Sequence, residues 1–281
     1  MSEFRLPDAQ VRYYQENGFI QFNDVLTPAE VEQARASLAE AMQMRLQGGI
    51  DRTGNPEYDR IFLQKVNLWR DHPGMRAVVF HPRLAEIARQ LAGVPRLRLW
   101  HDHALIKLPS DSKPSHWHQD LPYWPMNEPG ALSCWLALDD VDERNGCMHF
   151  VPRSHTWGKL PPINLVEPQD IFSLVPEPEG KDFTPVPVPL RAGSCTFHHG
   201  LTFHYAPPNR GEAPRRALVI IYMPDRTSYS GAPHCVTDDL NLKPGAPLVG
   251  ERFPVLARAE PPKRGCGAGE ACACGRRRHA P

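Results

Sequence analysis

Thirty-one prolines are spread through 281 residues, and a proline inside a helix removes a backbone donor and clashes with the preceding turn. Long uninterrupted helices are therefore excluded over most of the chain, and short strands joined by turns are favoured. Helical patterning is concentrated early. Residues 7–18 and 27–47 are the two best helices, the second opened by Thr27 as N-cap, Pro28 at the first helical position and Glu30 three residues after the cap. Val31, Ala34, Leu38, Ala41 and Met42 recur in it at helical spacing. A third helix is predicted over about 82–91, ended by Gly93 and Pro95.

From Leu97 onward the pattern changes to short apolar runs punctuated by Pro, Gly, Asn and Asp, at 97–108, 131–138, 147–151, 186–190, 193–198 and 216–223. Such runs predict a mainly β fold, a sandwich or jelly roll, preceded by helices. The expected division is one domain over 1–260, helical to about 95 and β-rich over about 96–225. Residues 163–184 are expected to form a long surface insertion that lids a binding site. Residues 261–281 read as a disordered tail. Its Cys266, Cys272, Cys274 and His279 match no common structural zinc spacing.

The 32 basic and 32 acidic side chains cancel, which excludes the basic surface that nucleic-acid binding requires. Hydrophobic residues make up 41% of the chain, enough for a sizeable core. No run approaches the roughly 18 apolar residues of a membrane span, and the N-terminus lacks the layout of a signal peptide. A disulfide scaffold is not expected from seven cysteines, an odd number, in a chain of this size. A soluble cytoplasmic protein with reduced thiols is the expectation, with neither a nucleic-acid nor a membrane partner.

Chemistry is concentrated at His116-Trp117-His118-Gln119-Asp120. On an extended strand side chains alternate, so His116, His118 and Asp120 share a face, and His118 and Asp120 can converge on one metal ion. Two histidines and one carboxylate form the facial triad that leaves positions of iron(II) open. The stretch 197–204 offers His198, His199 and His204 as third ligand, and spacing does not choose among them. Farther on, Arg215 and Arg216 enter an apolar strand, so one faces inward. An inward guanidinium requires a carboxylate, which a dicarboxylate co-substrate would supply.

These residues resemble the phytanoyl-CoA dioxygenase family of iron(II)- and 2-oxoglutarate-dependent oxygenases. The resemblance runs from Tyr14, Gly18, Phe19 and Ile20 to about Met223. It rests on His118-Gln119-Asp120, on Asn145-Gly146-Cys147 leading to Pro152-Arg153-Ser154-His155, and on the segment from His199 to His204 followed by Pro208-Asn209. It implies a double-stranded β-helix, or jelly roll, of the cupin kind, with His118, Asp120 and His204 as iron ligands. It implies Arg215, eleven residues after His204, as the 2-oxoglutarate arginine, with Gln119, Trp135 and Lys65 lining the co-substrate pocket. Ala206 departs from the family pattern, in which some members place a serine that bonds the co-substrate.

Related halogenases replace the carboxylate by a small residue. Asp120 therefore implies hydroxylation, or another two-electron oxidation such as desaturation or cyclisation, with iron(II), 2-oxoglutarate and dioxygen consumed alongside a small-molecule substrate. The chain ends His-Ala-Pro rather than in a Ser-Lys-Leu address, so a peroxisomal acyl-CoA role is not expected. An Ala-, Arg- and Pro-rich composition like that of GC-rich bacterial genomes points, through the resemblance, to natural-product or amino-acid metabolism. Two competing readings are an inactive metal-binding jelly roll acting as a sensor or structural module, and a zinc-dependent hydrolase. Trp100, Trp117, Tyr123 and Trp124 suit either a substrate cavity or the core.

Overall fold

Proline placement decides where this chain can be helical. The computed structural model describes residues 4–51, 65–109, 112–165 and 169–259; the cysteine-bearing tail predicted at 261–281 lies outside them. Its helices are Asp8–Asn17 (α1), Pro28–Gln43 (α2), Pro73–Val79 (α3) and Pro82–Ala92 (α4). The last three begin on a proline, where no helical donor is lost. Thr27 and Glu30 close the expected capping box at α2, and Gly18 and Gly93 end α1 and α4 in the left-handed conformation.

Two helical expectations change. α2 stops at Gln43 instead of running to 47, because the next residues are drawn off by carboxylates: Asp71 accepts from the amides of Gly48 and Gly49, and Asp51 from that of Leu46. α3 is not among the predicted helices, since its N-cap is a histidine. His72 Nδ1 accepts from the Met75 amide at 3.2 Å.

The described residues form ten strands: Phe19–Phe22 (β1), Arg96–Lys107 (β2), Ser115–His118 (β3), Leu132–Ala137 (β4), Met148–Phe150 (β5), Val186–Val188 (β6), Cys195–His199 (β7), His204–Ala206 (β8), Arg215–Pro224 (β9) and Val255–Arg258 (β10). They form a six-stranded sheet, β1-β7-β4-β9-β2-β10, facing a four-stranded one, β3-β8-β5-β6, with every pairing antiparallel. The protein is a jelly roll, as expected. β1, β8 and β10 fall outside the predicted runs, and β3 is met only by the extended reading of 116–120.

The large sheet is covered on both faces, and alternation sorts its side chains. Leu132, Cys134, Leu136, Phe197, Leu218, Ile220 and Tyr222 pack under the helices with Val31, Leu38, Leu84 and Ala88. Trp135, Ala137, Ala217, Val219 and Ile221 face the small sheet with Met148, Phe150 and Ala206. A register shift between Leu99 and His101 breaks the alternation of β2. Leu97 and Leu99 lie against the helices, whereas beyond the bulge at Trp100, His101, His103 and Leu105 turn inward.

The expected insertion at 163–184 is not wholly a surface loop. A 3-10 helix at Ile171–Leu174 and Val175 bury apolar side chains against Val151, Leu160 and Phe203. No described helix is long and apolar enough to cross a membrane.

Asp102 points to the helical side, fully buried, and accepts from the amides of Leu68 (3.1 Å) and Trp69 (3.4 Å). Burial raises its pKa to about 7, against the lowering effect of those amides. The native state therefore holds this proton more tightly than the unfolded chain, and the group's contribution to stability falls as pH rises from about 4 to about 7. Asp102→Ala leaves two buried donors unmet and is expected to cost about 2–4 kcal/mol in urea unfolding. Asp102→Asn should gain on the wild type as pH rises through that interval.

Candidate active site

The strand expected to carry the whole His-x-Asp motif ends at His118. Asp120 has helical backbone angles (φ −77°, ψ −44°) and precedes a 3-10 helix at Leu121–Tyr123. The chain turns there, so it is the strand end and not continued alternation that swings the carboxylate beside His118. β3 pairs with β8 so that His118 is opposite His204. Asp120 Oδ1 lies 3.6 Å from His118 Nε2 and 3.5 Å from His204 Nε2.

Each of these groups is oriented by a second contact. His118 Nδ1 donates to the His116 carbonyl at 2.6 Å and His204 Nδ1 to that of Thr202 at 3.0 Å. That pattern leaves both Nε2 atoms as lone-pair donors, the arrangement metal-bound imidazoles use. Asp120 Oδ2 accepts from Ser133 Oγ at 2.7 Å and His198 Nε2 at 3.2 Å, which leaves Oδ1 free. Burial opposes ionisation of Asp120, but His204, His118 and His198 outweigh it and hold the carboxyl well below its ordinary value. Burial, with His118 alongside, holds His204 well below the usual imidazole range. Among the described residues, His118, Asp120 and His204 are the set whose ligand atoms all lie within 4.8 Å of one another. An ion bonding each at about 2.1 Å fits between atoms so spaced.

The second expected element is a cation, and the geometry separates the two arginines. Arg216 points outward and is held at two guanidinium nitrogens, Nε and Nη2, by Asp139. Arg215 points inward, is 1% exposed, and has its guanidinium carbon 5.2 Å from the centroid of the Trp135 ring. Its Nη1 reaches the Leu105 carbonyl at 3.3 Å and its Nε has no partner. Burial lowers its pKa only to about 10, so it stays charged. Asp139, which acts on it electrostatically, is already bonded to Arg216 and Arg35. A buried guanidinium without a carboxylate is costly. A carboxylate entering the cavity would offset that cost, so the residues present fit a dicarboxylate as well as an ion.

Two residues expected at this pocket lie elsewhere. Gln119, between the two motif residues, points the other way and clamps loops, donating to the Gly158 and Leu201 carbonyls and accepting from the Leu160 amide. The Lys65 ammonium is taken by Asp51 at 2.9 Å and by the Met44 carbonyl, and it does not line the cavity. Tyr123 and Trp124 line the cavity, whereas Trp100 stacks on Phe253 and Trp117 on Tyr205. His199 is turned towards the Leu201 amide and the His155 ring.

Ser133 and Lys107 were not legible as site residues. Ser133 is a polar residue in an otherwise apolar, fully buried strand, which is a usable signal. Lys107 pairs in register with Arg215 and is fully buried, donating to the Ala206 and Pro207 carbonyls at 2.9 and 2.6 Å. Burial and the Arg215 charge push its pKa down to about 6. Gly146 (φ +98°) lets the chain pass these cations: a Cβ there would lie 2.7 Å from the Pro207 carbonyl oxygen.

The sequence profile of the phytanoyl-CoA dioxygenase (PhyH) family matches residues 14–217. The chain belongs to that family. Phytanoyl-CoA dioxygenase family members are iron- and 2-oxoglutarate-dependent oxygenases, and this chain is one of them. It is 29% identical over 242 residues to an ectoine dioxygenase of Bordetella parapertussis, covering 76% of this chain and 74% of that protein. It is 24% identical over 229 residues to a methylphosphonate hydroxylase of Gimesia maris (77% and 80% covered). Among solved structures it is similar to the α-ketoglutarate-dependent carbocyclase SnoK of nogalamycin biosynthesis. That likeness has a TM-score of 0.76, 32% identity and coverage of 90% and 97%. The epimerase SnoN in complex with Fe3+, α-ketoglutarate and nogalamycin RO gives a TM-score of 0.72 at 30% identity, with 89% and 98% covered.

Removing the hydroxyl that fixes Asp120 should loosen the metal site without emptying it, because His198 still holds the carboxylate. Ser133→Ala is expected to weaken iron(II) binding about 10- to 100-fold in a chelator competition assay. Unchanged affinity would show that the hydroxyl does not orient the ligand.

Proposed function

We propose that the protein oxidises a small molecule at an iron(II) centre held by His118, Asp120 and His204, with 2-oxoglutarate gripped at its far carboxylate by Arg215. Iron, 2-oxoglutarate and dioxygen together supply the oxidising power that removes a substrate hydrogen, with succinate and carbon dioxide as co-products. The observation that carries this reading is the juxtaposition, in one cavity, of the His118–Asp120–His204 set and a charged arginine with no acid of its own.

The protein's own residues bind and orient. Asp120 and two imidazoles provide the charge and the lone pairs, and Ser133 and His198 keep the carboxylate presenting one oxygen. Trp135 supports the guanidinium plane of Arg215. Tyr123 secures the cavity edge: its hydroxyl donates to the Ile163 carbonyl at 2.9 Å and accepts from the Ile163 amide at 3.1 Å. Ile163, Asn164 and Leu165 border the cavity, which encloses about 610 Å³, room for the co-substrate and a small organic substrate. That border supports the covering role expected of 163–184.

Hydroxylation is the reaction we assign, on the retained carboxylate of Asp120. Hydrogen removal followed by ring closure or stereoinversion is a second outcome, favoured by the likeness to the carbocyclase SnoK and the epimerase SnoN. Natural-product tailoring is the setting those two proteins suggest.

Anaerobic addition of 2-oxoglutarate to the iron(II)-loaded protein should produce the metal-to-ligand charge-transfer band. His118→Ala and His204→Ala should abolish it through loss of metal. Arg215→Leu should keep the metal but weaken 2-oxoglutarate binding roughly 10- to 100-fold, the equivalent of one charge-assisted contact. A band that survives His118→Ala, or an affinity indifferent to Arg215→Leu, contradicts the assignment. Label from 18O2 in the oxidised substrate, as distinct from succinate, would identify hydroxylation, and its absence there would favour the second outcome.

A further inference from the structure

The cavity wall carries imidazoles that the metal site does not use. His101 and His103 come from β2 and His234 from the loop before Cys235, and all three line the cavity. The His101 ring lies 5.4 Å from that of His103 and 5.9 Å from that of His234. Their nitrogens do not converge as a metal set, since among the described residues only His118, Asp120 and His204 do so. The bulge at Trp100 puts them there: without that extra residue, His101 and His103 would share the helical face of Leu97 and Leu99.

Polar rings on a buried sheet face are costly unless their nitrogens are satisfied. His101 Nδ1 and His103 Nδ1 are sealed within the wall with no hydrogen-bond partner, so contact with a molecule in the cavity falls to Nε2 of each ring. His234 Nδ1 accepts from the Val236 amide at 3.2 Å, so the neutral ring carries its proton on Nε2 as a donor. Burial keeps the three rings uncharged: it holds His101 well below its ordinary value, and His103 and His234 at about 4. A neutral imidazole offers one donor and one acceptor, which suits hydroxyl and carbonyl oxygens and supplies no ion pair.

The rest of the wall points the same way. Among the described residues, the only Asp, Glu, Lys or Arg side chains lining the cavity are Asp120 and Arg215, and the proposed iron and 2-oxoglutarate use both. A phosphate, carboxylate or ammonium on the substrate would lose its hydration with no counter-charge from the described residues to meet it. Tyr123, Trp124, Val219 and Ile221 supply apolar surface for a carbon framework.

We infer that His101, His103 and His234 form the recognition surface for a neutral substrate with an apolar carbon framework bearing several hydroxyl or carbonyl oxygens, an assignment that rests on the iron and 2-oxoglutarate site proposed above. The three rings bind and orient that molecule and take no part in holding the metal.

The test uses the full-length protein loaded anaerobically with iron(II) and 2-oxoglutarate, with the charge-transfer band recorded first. Calorimetric titration then compares naringenin, a neutral polyhydroxylated probe, with flavanone, the same ring system without hydroxyls, and with phenyl phosphate. Naringenin should bind most tightly. His101→Phe and His103→Phe should each lower its affinity roughly 3- to 10-fold, the effect of one lost hydrogen bond. Flavanone affinity and the band should be unchanged, and His103→Asn, which keeps polar donors and acceptors, should recover part of the loss. Equal weakening of naringenin and flavanone, naringenin binding no tighter than flavanone, or preferential binding of phenyl phosphate would each overturn the inference while leaving the iron site standing. Failure of the band to form in the wild-type protein would overturn the iron and 2-oxoglutarate reading, and this inference with it.

Discussion

The carboxylate of Asp120 is the constraint on which the site depends. It is the one acidic side chain among the described residues lining the cavity, and burial works against its ionisation. Three imidazoles reverse that tendency, and the contacts to its two oxygens are asymmetric. Ser133 and His198 occupy Oδ2, while Oδ1 faces His118 Nε2 and His204 Nε2. The hydrogen bonds that keep the group ionised therefore also set how it can meet a metal, with one oxygen presented and the other held back. Both imidazoles are fixed in turn by backbone carbonyls.

Sheet geometry carries the rest. Neighbouring strands bring His118 beside His204 in the small sheet, and Lys107 beside Arg215 in the large one. Two cations side by side in a buried position are unfavourable, and the structure moderates the cost unequally. Lys107 spends its donors on backbone carbonyls and loses affinity for its proton, whereas Arg215 stays charged with one nitrogen unmet. An incoming carboxylate is the natural partner for the latter. Gly146 permits the close chain passage that this crowding needs.

The mainly β core was legible because proline excludes long helices and because the strands are short, apolar and regularly interrupted. The iron set was legible only in part. Spacing pointed to His118 and Asp120 but left His198, His199 and His204 open, since three histidines within seven residues give no face information until the strand partners are known. Alternation predicted that only one of Arg215 and Arg216 faces inward, and Asp139 shows which is outward. The reading of 116–120 as one strand reached the right pair for an incomplete reason, because the chain turns at Asp120. Gln119 and Lys65 were drawn to the pocket by resemblance, while their side chains are committed to Gly158, Leu201 and Asp51. The bulge at Trp100, which turns His101 and His103 inward, leaves no mark in the local hydrophobic pattern.

The central claim is that one ion and one dicarboxylate share the cavity between these residues. A crystal structure of the anaerobic complex with iron(II) and 2-oxoglutarate, with data collected at the iron absorption edge, tests it most directly. The account predicts a single anomalous peak bonded to His118 Nε2, Asp120 Oδ1 and His204 Nε2, with the far carboxylate of 2-oxoglutarate against the Arg215 guanidinium. A peak on the His101, His103 and His234 wall, or a co-substrate whose far carboxylate lies away from Arg215, would contradict it.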